Sequence, residues 1–305
     1  MKILIFGSNG LVGSSLCRYL SKNKECTILE SNRNDTNLFD YSSVVKKLSS
    51  TKPDIIINAA AKVGGIHAND TFRSSFLIEN LKINLNILEA SIGYDNLQII
   101  NLGSSCIYPL NVENPIKEDQ IMSGKLEPTN SPYAMAKLTA IELGDAIHKD
   151  YGTKITNLMP TNLYGPNDNF HPEYSHVIPG LIKRMHDAKL MNKKSFSIWG
   201  SGKPLREFLY VDDLSKAVEF IIINDINLPL INVGSGEEIS ILNLSRKIKN
   251  VIGYKGQIIF DNTMPDGINK KLLDSSILNH LGWRNKTNLD DGLKLTYDWF
   301  LKNAS

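Results

Sequence analysis

Five short apolar runs in the first half of the chain constrain its fold more than any other feature. They read KILIF (2–6), CTILE (26–30), DIIINAA (54–60), LQIIN (97–101) and KITNLMP (154–160). The runs are continuous rather than alternating, as strands are when both faces of their sheet are covered. Stretches with helical apolar periodicity separate them. This order predicts an α/β fold with a parallel sheet and helices on both faces.

The pattern of alternating apolar runs and helical stretches ends at about residue 160. The segment YGPNDNFHPEYSH (164–176) is rich in turn formers and predicts a long irregular loop, followed by an amphipathic helix, VIPGLIKRMHDAKL (177–190). LPLINVGSG (228–236) predicts a last sheet strand, and the tail from residue 237 predicts short helices with one strand, GQIIF (256–260).

Composition excludes several classes of protein. The chain has 305 residues and a net charge of +2, which gives no broad electrostatic case for nucleic acid. No apolar run reaches the roughly 20 residues of a membrane helix, so no membrane segment is expected. Three cysteines form no disulfide framework, and no spacing suggests a metal site. A cytoplasmic protein is expected, with Cys17 and Cys26 in the core.

A glycine-rich loop, GSNGLVG, joins the first predicted strand to the first predicted helix. Gly7 would permit the tight turn, Gly10 the approach of a pyrophosphate to the helix N-terminus, and Gly13 close packing of helix and strand. At this place in a βαβ pattern the loop predicts a Rossmann-type doubly wound sheet that binds a dinucleotide. A smaller α/β substrate domain is expected to interleave with it.

The domain boundaries follow from these patterns. The dinucleotide-binding domain is expected to span 1–165 and about 207–235, and the substrate domain about 166–206 and 236–305.

The end of the second strand gives conflicting signals about the dinucleotide. Glu30 suits the ribose hydroxyl of NAD, whereas Arg33 suits the 2′-phosphate of NADP. The local residues alone leave both cofactors open.

The segment SPYAMAK places Tyr133 and Lys137 on one helix face, four residues apart. A lysine ammonium beside a phenol favours its ionised form, so the tyrosine can exchange a proton near neutral pH. Ser104, at the end of the fourth predicted strand, would hydrogen-bond the substrate carbonyl oxygen with which the tyrosine exchanges its proton. Together they predict a site that reduces or oxidises a carbonyl group.

These residues and several longer motifs carry a family resemblance. The motifs are GSNGLVGS, NAAAKVGGIHAN, LGSSCIYP, LEPTNSPYAMAK, WGSGKPLREFLYVDD and PDGINKKLLD. The chain resembles the extended short-chain dehydrogenases/reductases and, within them, the GDP-L-fucose synthase family, over nearly its whole length. The resemblance implies an NADPH-dependent 4-reductase of a GDP-4-keto-sugar that also epimerises C3 and C5.

The resemblance assigns roles to individual residues. It implies Ser104, Tyr133 and Lys137 as the reductase triad, with Cys106 as the base and His176 as the acid of epimerisation. The implied cofactor contacts are Gly7, Asn9, Gly10, Leu11, Val12, Gly13, Arg33, Asp40, Ala60, Lys137 and His176. The implied substrate contacts are Ser105, Asn162, Val177, Arg184, Trp199, Arg206 and Lys271. His171 is a weaker candidate acid, and His67 is an unassigned pocket residue.

Two departures from the family pattern concern binding. Asn9 stands where bacterial members can have Arg, and Lys270 stands where the family has Arg. Both bear on cofactor preference and sugar-nucleotide affinity more than on the chemistry.

Other functions stay open at this stage. The alternatives are a C4 reductase whose Cys/His pair does not epimerise, a sugar-nucleotide 4-epimerase or dehydratase, and a non-catalytic dinucleotide-binding protein. The sugar, a 6-deoxyhexose or a heptose, is not readable from any motif. The resemblance also predicts a homodimer that pairs through helices at about 76–92 and 132–150.

Overall fold

The computed structural model describes residues 1–171, 174–261, 263, 266 and 268–304. Its main sheet has six strands in the order β2-β1-β3-β4-β5-β9, and every neighbouring pair is parallel. The strands are β1 (Lys2–Phe6), β2 (Thr27–Ser31), β3 (Ile55–Asn58), β4 (Gln98–Leu102), β5 (Lys154–Pro160) and β9 (Leu230–Val233). Chain order therefore runs outward in both directions from β1, as a doubly wound sheet requires.

Helices cover both faces of this sheet. One layer contains α1 (Leu11–Leu20) and α7 (Val211–Ile223), and the other contains α2 (Tyr41–Thr51), α4 (Arg73–Ala90) and α5 (Ser131–Tyr151). In β1, Ile3 and Ile5 pack into the first layer, while Leu4 and Phe6 pack into the second. Because successive side chains point to opposite faces, both faces are apolar and the run is continuous.

A second region has its own core. Strands β6 (Asn162–Tyr164), β8 (Leu205–Tyr210) and β10 (Glu238–Ser240) form a three-stranded sheet, and β7 (Ser195–Trp199) pairs with β11 (Gln257–Asp261). The helices α6 (Val177–Leu190), α8 (Ile241–Ile252) and α10 (Leu289–Asn303) pack against them. The remaining helices are α3 (Ile66–Thr71) and α9 (Ser276–Leu281).

Most predicted elements lie where the sequence puts them. The Rossmann-type α/β class is confirmed, and β1, β5 and α6 have the predicted bounds. β10 is an additional strand, because three residues become a strand only by pairing with β8. None of the helices in the described part of the chain is long and apolar enough to cross a bilayer.

The two cysteines expected in the core both pack there. Cys17 is buried against the sheet, whereas Cys26 precedes β2 by one residue and is half-buried against the same cluster.

Candidate active site

The glycine loop is shaped by close backbone approach. Gly7 has φ +79°, and a Cβ there would lie 2.8 Å from the Cα of Ala60. A Cβ on Gly13 would lie 2.0 Å from the carbonyl oxygen of Gly7. Gly10 is the N-cap residue of α1 and supplies no side-chain cap. The helix N-terminus is therefore open to an anion, as pyrophosphate binding requires.

An open pocket of about 500 Å³ adjoins this loop, and Asn9, Glu30 and Asn167 line it with Ser8. Among the described residues, the buried Ser8 hydroxyl has no hydrogen-bond partner. A donor without a partner beside a helix N-terminus fits a phosphate group. The loop therefore fits a dinucleotide, and Asn9 and Glu30 face the same pocket.

Other predicted cofactor residues lie on α1 and in the segment between β2 and α2, outside the lining of this pocket. Arg33 is exposed, and its guanidinium lies 5.8 Å from the ring centre of Phe39. Asp40 caps α2 by accepting from the backbone N–H groups of Ser42 and Ser43, so its carboxylate already has partners. Leu11 and Val12 occupy the first turn of α1.

Three residues predicted for reduction meet at the carboxyl end of β4. Ser104 follows β4, and its hydroxyl hydrogen-bonds the phenol of Tyr133, in the first turn of α5. Lys137 lies one turn further along α5, with Nζ 5.9 Å from the centre of the Tyr133 ring. Its ammonium donates to the carbonyl oxygen of Leu102 at 2.7 Å. Strand β4 and helix α5 thus hold all three side chains together.

Burial sets the protonation of this group. The expectation that Lys137 favours the ionised phenol is not met: burial raises the pKa of Tyr133 and the charge of Cys106 adds to this, although the Ser104 hydrogen bond opposes the rise. Burial lowers the pKa of Lys137 to about 8. At neutral pH the site therefore presents a phenol O–H and a lysine ammonium, both suited to a carbonyl oxygen that gains negative charge.

Cys106 lies in a short 3-10 helix, Ser105–Ile107, directly after Ser104. Its side chain is half-buried and packs into a small apolar cluster with Phe76, Tyr133 and Tyr174. The Nδ2 atom of Asn130 donates to its sulfur at 3.6 Å. The thiol therefore packs against the cluster that contains the Tyr133 ring, as does Tyr174.

His176 is the N-cap residue of α6. Its side chain reaches solvent from a recess in the protein, and desolvation there lowers its pKa, so the neutral imidazole is favoured. The loop before it is held in place by the N–H of Gly65, which donates to the Tyr174 carbonyl at 3.0 Å. A Cβ on Gly65 would lie 2.5 Å from the Ser175 oxygen. Close packing thus ties this loop to the segment after β3.

The ring of Tyr174 stacks with the imidazoles of the two other candidate histidines. His67 stacks on its ring at 5.9 Å, and His171 stacks at 4.7 Å. Both imidazoles therefore lie in an aromatic group beside the Cys106 cluster, in keeping with pocket or loop contacts.

Three cations from the second region are the candidates for binding the diphosphate, and one of them, Lys271, is close enough to Arg206 and Cys106 for their charges to act on it. Arg184 lies on α6, with its guanidinium 5.3 Å from the ring centre of Trp199, whose side chain is half-exposed at the end of β7. Arg206 lies on β8, and its pKa, like those of Arg184 and Lys271, is lowered by burial. Within the described residues none of the three forms an ion pair, although the charge of Asp266 acts on Arg206. Such desolvated cations suit a diphosphate.

The remaining substrate candidates lie at the junction of the regions. Ser105 is buried behind Ser104, and Val177 is exposed in the first turn of α6. Asn162 donates through Nδ2 to the carbonyl oxygen of Glu207 at 2.9 Å.

Sequence reasoning missed Asn130, Tyr174 and Glu207. Glu207 is fully buried, and its carboxylate accepts from the N–H groups of Gly236 and Leu273 at 2.8 and 3.1 Å. It thereby ties the Lys271 segment to β8. A signal was present for Asn130, which precedes Tyr133 by three residues and so lies near it at the start of α5.

Comparison with known proteins agrees with this geometry. Residues 3–234 match the model of the NAD dependent epimerase/dehydratase family. The chain is similar to GDP-L-fucose synthase 1 of Arabidopsis thaliana, at 44% identity over 99% of this chain and 94% of that one. It is similar in structure to a GDP-6-OMe-4-keto-L-xylo-heptose reductase from C. jejuni, with TM-score 0.92, 30% identity and coverage of 99% and 97%.

A third similar structure carries a dinucleotide. It is a GDP-L-fucose synthetase from Naegleria fowleri bound to NADP, with TM-score 0.88, 29% identity and coverage of 99% of this chain and 94% of that one. The full-length match and the shared fold give the same assignment. The chain therefore belongs to the NAD dependent epimerase/dehydratase family and, within it, to the family of the GDP-L-fucose synthases.

Proposed function

We propose that this protein uses NADPH to reduce the C4 ketone of a GDP-linked 4-keto-sugar, after epimerising C3 and C5. The observation that carries the proposal is the joint placement of Ser104, Tyr133 and Lys137 beside the Cys106 thiol. One oxygen-binding group next to one base is the minimum that both reactions need.

Epimerisation begins with removal of a proton from C3 or C5, which the neighbouring ketone makes acidic. The Cys106 thiolate takes the proton, so an S–H bond forms, a C–H bond breaks and the electron pair moves to the C4 oxygen. Ser104 and Tyr133 donate hydrogen bonds to that oxygen, and the Lys137 ammonium stabilises its charge. His176, as the imidazolium, returns a proton from the opposite face, which inverts the carbon and leaves the neutral imidazole that its surroundings favour. The Cys106 thiol then loses its proton to solvent and His176 gains one, so both groups are ready for the next centre.

Reduction uses the same oxygen contacts. NADPH, when bound, supplies a hydride to C4. Tyr133 gives its phenol proton to the C4 oxygen, and Lys137 stabilises the phenolate that remains. The order of steps follows from the ketone, because C3 and C5 lose their acidity once C4 is reduced.

The preference for NADPH rests on Arg33. An exposed guanidinium after β2 pairs well with a 2′-phosphate. NAD stays possible, since Glu30 faces the adjoining pocket and Asn9 is not a cation. The NADP-bound relative from Naegleria fowleri supports the first choice.

The GDP group would bind the second region. Arg184, Arg206 and Lys271 supply charge for the diphosphate, and Trp199 offers a ring face supported by Arg184. Ser105, Asn162 and Val177 would contact the sugar.

A C4 reductase without epimerisation is the second candidate. The likeness to a heptose reductase favours it, because that protein's name describes reduction alone. It would use the same Ser104, Tyr133 and Lys137, with Cys106 and His176 only touching the sugar.

The domain division, the assembly and the location belong to the same proposal. The dinucleotide-binding domain spans 1–165 and about 207–235, with the substrate domain in the remainder. The protein pairs as a homodimer through α4 and α5, where Ile78, Leu85 and Met135 are half-exposed apolar side chains. It works in the cytoplasm.

A substrate panel tests the proposal. Oxidation of NADPH is measured with GDP-4-keto-6-deoxymannose, a GDP-4-keto-heptose and a UDP-linked 4-keto-sugar. We expect turnover of at least one GDP-linked ketone. Activity on the UDP-linked ketone should be lower by a factor of about ten or more. Tight NADPH binding with no turnover of any ketone would instead support a non-catalytic dinucleotide-binding protein.

A further inference from the structure

The side chain of Asn130 sits between the start of α5 and the Cys106 thiol. Its Nδ2 atom donates to Sγ at 3.6 Å, a usual length for a hydrogen bond to the larger sulfur atom. Asn is a preferred N-cap residue, yet Asn130, at the N-cap position of α5, makes no side-chain cap. Its amide group is therefore directed at the thiol instead of the helix backbone.

Two charged residues hold the backbone of Asn130 in place. The Glu127 carboxylate accepts from the Asn130 N–H at 3.0 Å and from the Thr129 hydroxyl at 2.6 Å. Arg73, the first residue of α4, donates to the carbonyl oxygen of Pro128 at 2.8 Å. The backbone from which the Asn130 side chain projects is thus tied to two charged side chains.

The other end of the amide is a buried acceptor. Among the described residues, Oδ1 of Asn130 has no hydrogen-bond partner. Leaving a buried carbonyl oxygen unpaired is unfavourable, so it should accept from a donor when the site fills. Because Tyr133 is three residues away on the same helix, that donor would be a hydroxyl group of the sugar whose ketone the phenol contacts.

We propose that Asn130 is a positioning residue for proton transfer: it donates to the Cys106 sulfur, favours the thiolate, and accepts from a sugar hydroxyl. This rests on the proposed function, in which the thiolate removes a proton from C3 or C5. Two ionisable groups interact electrostatically with Cys106, Tyr133 on α5 and Lys271; Tyr174 packs against the same cluster, and the Glu127 carboxylate lies on the backbone side of Asn130. Asn130 adds an uncharged donor to them.

The test uses Asn130→Ala and the isosteric Asn130→Asp, with Ser131→Ala as the matched control. Ser131 is the next residue, and its hydroxyl contacts Arg73 and the Pro128 carbonyl instead of the thiol. The full-length protein without substrate is alkylated with iodoacetamide across a pH series, and peptide mass spectrometry reads Cys106 alone. Burial raises the pKa of Cys17 to about 12 and also raises that of Cys26, so both should react later.

Asn130→Ala should raise the pH of half-maximal alkylation by about one unit, and Asn130→Asp by more, because a carboxylate repels the thiolate. Ser131→Ala should match wild type. A midpoint in both Asn130 variants that equals or falls below the wild-type value would overturn the proposal. If Asn130→Ala fails to fold, as judged by thermal melting, Asn130→Asp gives the same comparison.

A second measurement links the contact to catalysis. In deuterated water with a GDP-4-keto-sugar and NADPH, deuterium incorporation at C3 and C5 should fall at least tenfold in Asn130→Ala, while NADPH oxidation falls less. Equal losses in both would mark a merely structural role. If wild type turns over no keto-sugar, the proposed function fails, whereas the alkylation series still decides the Asn130–Cys106 contact.

Discussion

The residues for reduction and the residues for proton transfer stand on different kinds of structure. Ser104, Tyr133 and Lys137 sit on the end of a buried strand and on one long helix, and the Lys137 ammonium donates to the last residue of that strand. Cys106 lies in a three-residue 3-10 helix, and His176 lies at the end of a long loop. Regular elements hold side chains more firmly than loops. Reduction should therefore tolerate changes around the sugar, and epimerisation should not.

The residues for reduction and those for proton transfer also depend on different parts of the fold. The reduction group lies within the region of the main sheet, so its geometry is set by β4 and α5. The proton-transfer pair depends on contacts of loop residues: Asn130 donates to the Cys106 sulfur, and the Gly65–Tyr174 bond ties the loop before His176 to the segment after β3. Variants that loosen these contacts should remove epimerisation first.

Tyr133→Phe should produce the largest loss. Removing the phenol O–H eliminates the proton donor for the C4 oxygen, and such groups contribute roughly 10²–10⁴-fold. NADPH oxidation, followed at 340 nm, should fall by that range while dinucleotide binding is kept. Tyr151→Phe is the control, because Tyr151 is exposed at the far end of α5. Activity within tenfold of wild type would remove Tyr133 from the mechanism.

Cys106→Ser should separate the two reactions. A hydroxyl is a far weaker base than a thiolate, so deuterium incorporation at C3 and C5 should fall about 10²-fold. C4 reduction should fall by less than tenfold, because the oxygen contacts are kept. Cys26→Ser, a half-buried cysteine beside β2, should change neither. Unchanged deuterium incorporation in Cys106→Ser would show that another group is the base.

The pH profile should follow Lys137. Burial lowers the pKa of its ammonium to about 8, so the charged form is present below that pH and is lost above it. The kcat/KM for reduction should therefore decrease about tenfold per pH unit above roughly pH 8. In Lys137→Arg, which stays charged, the decline should move to higher pH in whatever activity remains. A wild-type profile flat to pH 10 would contradict this role.

Arg33→Ala should have the smallest effect, since Arg33 is exposed. Loss of one guanidinium–phosphate contact should reduce the ratio of NADPH to NADH turnover about tenfold. Arg246→Ala, exposed on α8, is the matched control and should leave the ratio unchanged. Equal rates with NADPH and NADH in both wild type and Arg33→Ala would refute the preference for NADP.

The sequence predicts the main sheet well because both faces of each strand are apolar. KITNLMP and VIPGLIKRMHDAKL give β5 and α6 with their observed bounds, since local periodicity and burial agree there. β10 was not predicted, because a three-residue strand has no pattern of its own and exists only by pairing with β8.

The candidate site is likewise predictable only where its residues share one element of secondary structure. Tyr133 and Lys137 share one helix, so their spacing alone places them together. Segments far apart in the chain meet where Tyr174 and Cys106 pack against one cluster, and where Glu207 accepts from the N–H groups of Gly236 and Leu273. No local pattern encodes such pairs, and the roles of the site residues stay predictions until variants are measured.

The proposed function is tested most directly by NMR of the product formed in deuterated water from GDP-4-keto-6-deoxymannose and NADPH. The account predicts a C4 alcohol with deuterium at both C3 and C5 and with both centres inverted. Reduction without deuterium would leave a C4 reductase and exclude the epimerising role of Cys106 and His176. No reduced product, with NADPH bound, would contradict the central claim.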